Sequence, residues 1–549
     1  MSSAVTEEPR CRLARQDIGR LYVKAGDSPS QYFYPRDKLR GYLTRSKVGW
    51  ILQCPCRNCR RHYASFGRNH APTEFIDRIV GPESDSGAIN DPARTAYSLF
   101  GLLTYIEHPM LIIGFMMREW YDIHLLPVTF PADSLRSMCR EFLTKEGPAT
   151  FQQFEHQFST TLRHFAVPMM NSGAYSVYEE DTILPFLKLQ KVKSQGAHSR
   201  VYAFEIYEEY RKFADAIDVT KFARKELNKD SELAFHLENK NLNVANLLQD
   251  DHIVRMIKAY KHGDTFNLIF PYAKANLDDL LRDRQSDLVE AVPGPVESRH
   301  VWKQLLGIAK ALHKIGGPQG TDSLFPQHPR PEHRGVHFDL KPSNILINDK
   351  NVWMISDFGQ TVFRPTSDSS SRVVNQGGTL AYAPPEMDNI DAKSSRRYDI
   401  WSLGCIALEV LAFALLGPRG LNGRDDYPGL DQIRRTSSSS GGQEDDALWY
   451  REGDRGEYGV KPAVFDFMRF LEATESLQQR SSSLSFVSRI VDVIKKMLKP
   501  KADDRIDIGE VIRLLESVIE ESNDDAQGQQ IVAESGETSI GEPELQCIR

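Results

Sequence analysis

Cysteine is scarce in this chain: seven among 549 residues, an odd number that does not make a disulfide framework. That usage points to a reducing compartment, cytoplasmic or nuclear. An excess of basic residues is missing as well. Lysine and arginine total 68 against 75 aspartate and glutamate, a formal charge of -7 with a pI near 6.1, so no nucleic-acid-binding footprint is expected. The amino terminus, MSSAVTEEPRCRL, carries acidic residues where a secretory leader has its apolar core. The longest apolar window, HPMLIIGFMM at 108–117, is too short to cross a bilayer and is flanked by Glu107 and Arg118. No membrane insertion is therefore expected. Internal repeats are lacking too.

What remains is the composition of a soluble globular protein, 40% hydrophobic and 26% charged. The length predicts two to four units at about 100–200 residues per domain. Residues 1–30 are polar and mixed in charge and read as a flexible tail. Residues 31–180 read as a mainly helical domain of unassigned role. Asp91 and Pro92 form an N-cap and N1 pair, after which Ala96, Leu99, Phe100, Leu103 and Ile106 share a face. Leu135, Met138, Cys139 and Phe142 repeat the pattern, as do Phe151, Phe154, Phe158, Leu162 and Phe165. From 185 to 273 the chain turns to short β-prone runs, VYAFEIY and FNLIFPYA, and from 274 to 520 helices dominate. Strands first and helices after predict a two-lobed α+β domain over 185–520. Two polar segments, 318–334 and 433–446, read as surface insertions, and 521–549 reads as a disordered acidic tail.

The chemistry concentrates in GVHFDLKPSNILI, residues 335–347. Asp339, Lys341 and Asn344 place a carboxylate, an ammonium and an amide on one short loop, the set that phosphoryl transfer requires. Asp339 can accept the proton of an attacking hydroxyl, Lys341 can neutralise a moving phosphoryl group, and the Asn344 carbonyl can ligate Mg²⁺. Beyond it, VWMISDFGQ supplies a second hard oxygen ligand, Asp357.

These stretches resemble the eukaryotic protein kinase family, in family order over about 188–515. HFDLKPSN is similar to its catalytic loop, DFG at 357–359 to its metal-binding loop, and GTLAYAPPE at 378–386 to the end of its activation segment. DIWSLG at 399–404 resembles the start of its central helix, and Arg505 sits where the family pairs an arginine with Glu386. The resemblance implies the two-lobed kinase fold, ATP and Mg²⁺, and protein substrates. It makes Lys225, in FARK, the lysine of the α/β-phosphates and a third catalytic residue beside Asp339 and Lys341. It also places Gly196, Val201, Ala223, Glu238 and Ala273 around the nucleotide. Lysine two places after Asp339 resembles the serine/threonine type, and LIFPYA with NLDDLL resembles kinases of filamentous fungi.

The departures are specific. SQGAHSRV at 194–201 keeps one glycine of the phosphate-covering loop, Gly196, with Ser194 and Ser199 in the outer places. The partner of Lys225 falls on Asn241 by ungapped counting and on Glu238 one turn earlier, which leaves a solvated glutamate as the alternative. Phe338 stands where many kinases have arginine. CPCRNCRRH offers Cys54, Cys56, Cys59 and His62 as a tight ligand set whose plainer reading is reduced thiols. Three functions compete: an active serine/threonine kinase, a pseudokinase-like scaffold with an eroded glycine loop, and a small-molecule kinase, which the continuation through GTLAYAPPE disfavours. The oligomeric state, substrate and pathway are not legible.

Overall fold

The computed structural model describes residues 8–26, 30–66, 71–85, 87–125, 135, 148–192, 199–213, 219–282, 296–317, 333–365, 373–374, 378–388, 393–424, 427–435, 446–452, 457–474 and 481–535. They fall in two compact units, Met1–Glu232 with Ile257–Tyr272, and Leu233–Met256 with Ala273–Arg549.

In the first unit, helix starts well inside the segment read as a tail. Arg10–Gly19 is helical and buries Cys11, Ala14 and Ile18, one face at spacings of three and four. Only three apolar positions carry that stripe, among arginines, so composition hid it. Arg45–Leu52 follows, its start capped by the Thr44 hydroxyl, which accepts the Lys47 N–H at 3.3 Å. Tyr97–Tyr105 begins later than the Asp91–Pro92 signal implied. Asp91 instead takes the Ala93 N–H at 2.8 Å, an Asx turn that competes with helix initiation. Phe154 and Phe158 of the helix Pro148–Leu162 pack into the same core as Leu99, Phe100 and Leu103. Met138, Cys139 and Phe142 lie outside the described residues.

The unit's sheet has six strands: β1 (Gly173–Tyr178), β2 (Phe186–Val192), β3 (Ser199–Ile206), β4 (Lys221–Leu227), β5 (Lys258–His262) and β6 (Thr265–Pro271). Their spatial order is β1-β5-β6-β4-β3-β2. All pairs are antiparallel except β1 with β5. The edge strand β1 comes from the segment assigned to the helical domain, so the boundary near 180 cuts through the sheet's neighbourhood. Lys258 explains the attachment: its ammonium donates to Asn171 O at 3.2 Å and Ser176 Oγ at 2.9 Å. Helices and sheet also meet at a polar joint. Tyr207 Oη donates to both Asp37 carboxylate oxygens at 3.1 and 3.0 Å, Glu209 accepts the Asp37 N–H at 2.7 Å, and Tyr210 Oη accepts the Arg36 N–H at 3.2 Å. The Arg36 guanidinium turns inward to Asp122, 3.0 Å away, where both side chains are buried.

The second unit is built on Arg397–Leu416, in which sixteen residues are buried. By length and composition this helix passes the test for a membrane span that the 108–117 window fails, yet 83% of its apolar window is buried against the rest of the unit. Val301–Gly316 and Ser481–Met497 pack against it, and Ile508–Ser535 packs against those two helices. Asp507 starts the last of these by accepting the Glu510 N–H at 2.9 Å. That helix runs on to Ser535 through the first part of the segment read as a disordered tail, over residues such as Glu, Ala and Gln that favour helix. Residues 536–549 lie outside the described residues. The insertions are also narrower than expected. His333–Val336 is a strand paired with Val362–Pro365, and Arg434, read as part of a surface insertion, is buried. Residues 318–332 and 436–445 are not among those described.

Candidate active site

The stretch 335–347 folds as strand, loop, 3-10 turn and strand, with Pro342 at the start of the turn and Ile345–Ile347 paired to Trp353–Ile355. Proline fixes φ there without losing a needed donor. The turn brings three sequence-predicted residues together. Lys341 Nζ lies 2.9 Å from Asp339 Oδ2, and Asn344 Nδ2 donates to Asp339 Oδ2 at 2.9 Å and to Asp339 O at 2.8 Å. A fourth residue completes the cluster. Thr379 Oγ1 donates to Asp339 Oδ1 at 2.8 Å and accepts from Lys341 Nζ at 2.8 Å, and its N–H reaches the same Oδ1 at 3.2 Å. The carboxylate is thus held through both oxygens, in a site where it is 8% exposed. Because the Asn344 amide nitrogen faces Asp339, its carbonyl oxygen is the remaining acceptor on that side chain.

Asp399 holds this loop from below. Its two oxygens accept the N–H groups of His337 at 2.8 Å and Phe338 at 3.0 Å. Burial raises the Asp399 carboxyl above its ordinary range, with His337 and these two donors acting in the opposite direction. Phe338 needs that grip, since its φ is 67°, a region costly for a residue with a side chain. Its ring is buried against Val336, Ala383 and Tyr398, with the Tyr398 ring centroid 5.0 Å away. His337 is fully buried; its Nε2 lies 3.1 Å from Ser356 O and its ring packs edge-on to Phe358 at 5.2 Å.

Asp357, the second predicted metal ligand, also has positive φ, 61°. Ser356, just before it, is tied to the 337–344 loop: its N–H and hydroxyl donate to Asn344 O at 2.8 and 2.9 Å. Helix Glu232–Leu247 supplies the next layer. Asn241 Nδ2 donates to Phe358 O at 2.9 Å and Thr361 O at 2.7 Å, so the residue that ungapped counting selects grips the backbone around DFG. Glu238 lies one turn away on the same buried face, at 4% exposure. It approaches the position a Cβ on Gly359 would take to 4.0 Å. A solvated surface glutamate is excluded.

The remaining sequence-predicted residues divide between the units. In the first, β3 and β4 pair Val201 with Lys225 and Ala203 with Ala223, so Val201, Ala223 and Lys225 share one face of the sheet. Gly196 lies outside the described residues. Ala273 opens the second unit's long segment and is half-buried.

Sequence reading missed Thr379 and the carboxylate role of Asp399, although both stand in quoted motifs. It also missed a buried charge cluster. Glu409 is fully buried and accepts from Arg434 Nη2 at 2.6 Å, Arg282 Nη2 at 3.0 Å and Tyr382 Oη at 2.9 Å. Arg434 also donates to Ala381 O, which fixes the chain two residues beyond Thr379. Burial and the neighbouring Glu409 raise the Tyr382 hydroxyl well above its ordinary range. The expected Glu386–Arg505 pair is present and bidentate, at 2.7 and 2.6 Å, with the guanidinium over Trp401.

Residues 205–514 match a family model described as the protein kinase domain. Over 195 residues the chain is 28% identical to CTD kinase subunit alpha of Schizosaccharomyces pombe, which is 35% of this chain and 28% of that protein. It is 31% identical over 171 residues to cyclin-dependent kinase 2 of Caenorhabditis elegans, 31% of this chain and 40% of that one. With an Aurora kinase of Patiria pectinifera it shares 29% identity over 177 residues, 32% and 37% of the two chains. The chain thus spans less than half the length of each of these relatives.

Proposed function

The chain belongs to the protein kinase family, and from that premise we propose that it transfers the γ-phosphate of ATP to serine or threonine hydroxyls of protein substrates in intracellular signalling. The observation that carries this reading is the closed cluster of Asp339, Lys341, Asn344 and Thr379. In it, Asp339 accepts the proton of the substrate hydroxyl as that oxygen attacks. Lys341 shifts its charge onto the phosphoryl group being transferred, while Thr379 keeps the carboxylate and the ammonium at their present separation. Asn344 and Asp357 offer the hard oxygen atoms that Mg²⁺ takes, and with its amide nitrogen turned to Asp339 the Asn344 side chain presents a carbonyl rather than a donor. When bound, the ion neutralises phosphate charge. Lys225 binds the α- and β-phosphates, beside Val201 and Ala223 on the same sheet face.

The test is phosphotransfer from Mg-ATP to a generic protein substrate, beside Asp339→Asn. Loss of the base should lower transfer by about 10²–10⁴-fold in protein that remains folded. Wild-type protein that binds partners but gives no Mg²⁺-dependent turnover would favour the scaffold reading, which the reduced glycine loop motivates. Transfer to tyrosine alone would remove the serine/threonine assignment.

A further inference from the structure

Four cysteines from separate places converge in the first unit. Cys11 lies in the first turn of Arg10–Gly19, Cys54 just past Arg45–Leu52, Cys56 at the N-cap of Arg57–Ser65, and Cys59 in that helix's first turn. Their sulfur atoms all lie within 4.8 Å of one another, and Cys11 Sγ is 3.8 Å from Cys56 Sγ. All four are free thiols, three of them buried. We propose that Cys11, Cys54, Cys56 and Cys59 bind a single structural Zn²⁺ through four thiolates.

The geometry suits that ion. Four sulfurs about 2.3 Å from zinc form a tetrahedron with edges of about 3.8 Å, the Cys11–Cys56 separation, and a set confined within 4.8 Å is too tight to surround a multi-iron cluster. Four protein ligands leave no open position, which makes the site structural rather than catalytic. The surroundings favour thiolates. Cys56 Sγ accepts the Cys59 N–H at 3.4 Å, as outer-shell donors do at metal-bound sulfur. The start of Arg57–Ser65 directs its partial positive charge at Cys56 and Cys59. Binding releases the thiol protons and leaves four thiolates and one dication with net charge -2, beside a helix that carries Arg57, Arg60 and Arg61. His62 is not a member of the set; its buried ring packs against His108, centroids 5.1 Å apart. The ion would staple the helix Arg10–Gly19 to the end of Arg45–Leu52 and the start of Arg57–Ser65.

The test uses the full chain, produced without a metal-binding tag in zinc-supplemented medium and purified under reducing conditions. Metal analysis should find about one zinc per chain, released in proportion as a mercurial reagent titrates the thiols. Cys11→Ser and Cys59→Ser should lose the metal, whereas Cys547→Ser and His62→Ala should keep it. Should the serine variants fail to fold, Co²⁺ exchanged into the wild-type chain gives the readout, as tetrahedral ligand-field bands with strong thiolate-to-cobalt charge transfer. Metal-free protein with four reactive thiols, disulfides within the set, iron in place of zinc, or zinc retained by Cys11→Ser but lost by His62→Ala would each overturn the proposal.

Discussion

The catalytic loop and the amino-terminal helices both hold irregular chain in place, and they do so with opposite chemistry. In the second unit carboxylates do the holding: Asp399 takes two backbone N–H groups, Glu386 a bidentate arginine, and Glu409 two guanidinium groups and a phenol. In the amino-terminal region rings and sulfur dominate. Tyr32 stacks on His164 at 4.1 Å, Tyr34 on Phe165 at 4.4 Å, and four thiols gather in one place. Arg36–Asp122 is a buried ion pair there too. Phosphoryl transfer needs a carboxylate fixed in direction, and hydrogen bonds supply direction. The interior of a helical region needs cohesion, which buried rings supply through their large apolar area, while the joint to the sheet is made by hydrogen bonds of Asp37, Tyr207 and Glu209. Charge networks should therefore fail abruptly and ring stacks gradually.

The largest expected effect is that of Glu409→Ala. It strands Arg434 beside a cavity, while Arg282 keeps its ion pairs with Asp278 and Asp431 at 2.8 and 2.9 Å, and breaking a buried pair from one side costs about 3–5 kcal/mol. Urea unfolding of the full chain measures it; a loss comparable with that of a surface mutant would mean the cluster is wet and the comparison fails. Next comes Asp399→Asn. An asparagine retains one oxygen and turns an amide nitrogen toward the second N–H, leaving a buried donor unmet at a cost of about 1–3 kcal/mol. Since that donor belongs to His337 or Phe338, phosphotransfer should fall more than stability does. Equal losses would assign Asp399 to the core alone. The smaller counterpart lies at the joint of the first unit. Tyr207→Phe removes a hydroxyl that donates to Asp37 at a half-buried site, and a net loss of about 0.5–1.5 kcal/mol is expected.

What was legible in the sequence follows the same division. Asp339, Lys341, Asn344 and Asp357 lie within nineteen residues (339 to 357), and a loop that short dictates much of its own geometry. Thr379 and Asp399 stand 40 and 62 residues away from their partners, so their identity was visible but their destination was not. Cys11 lies 45 residues before Cys56. A reading confined to neighbours could therefore offer only His62 as a fourth candidate, and reduced thiols were its plainer outcome. β1 has no clear polar–apolar alternation, with Tyr175 and Val177 exposed, its partner β5 is formed more than eighty residues later, and nothing local says that a helical region will lend an edge strand to a sheet. Glu238 against Asn241 was ambiguous for another reason: residues three apart share a helix face, and the structure buries both.

The smallest effect is expected from the activation-segment serines. Ser367, Ser369, Ser370 and Ser371 lie outside the described residues, but the residue that would answer a phosphate there is described. Where arginine would wait for a phosphoryl group, Phe338 is 1% exposed and packed against Val336, Ala383 and Tyr398. The two nearby arginines, Arg396 and Arg397, are engaged with backbone carbonyls: Arg396 donates to Gly316 O at 2.8 Å and Gly317 O at 3.1 Å, and Arg397 to Ala502 O at 2.9 Å and Asp503 O at 2.7 Å. Recruiting either would break bonds that seat the helix Arg397–Leu416. The loop is also ordered without a phosphate, since Asp399 already takes the N–H groups of His337 and Phe338 and Thr379 already binds Asp339. Replacing the four serines with alanine, and separately treating wild-type protein with phosphatase, should leave turnover within about twofold, an energy difference below about 0.5 kcal/mol. A large loss in both experiments would show that a phosphate does order the loop, and that a cation other than one at position 338 receives it.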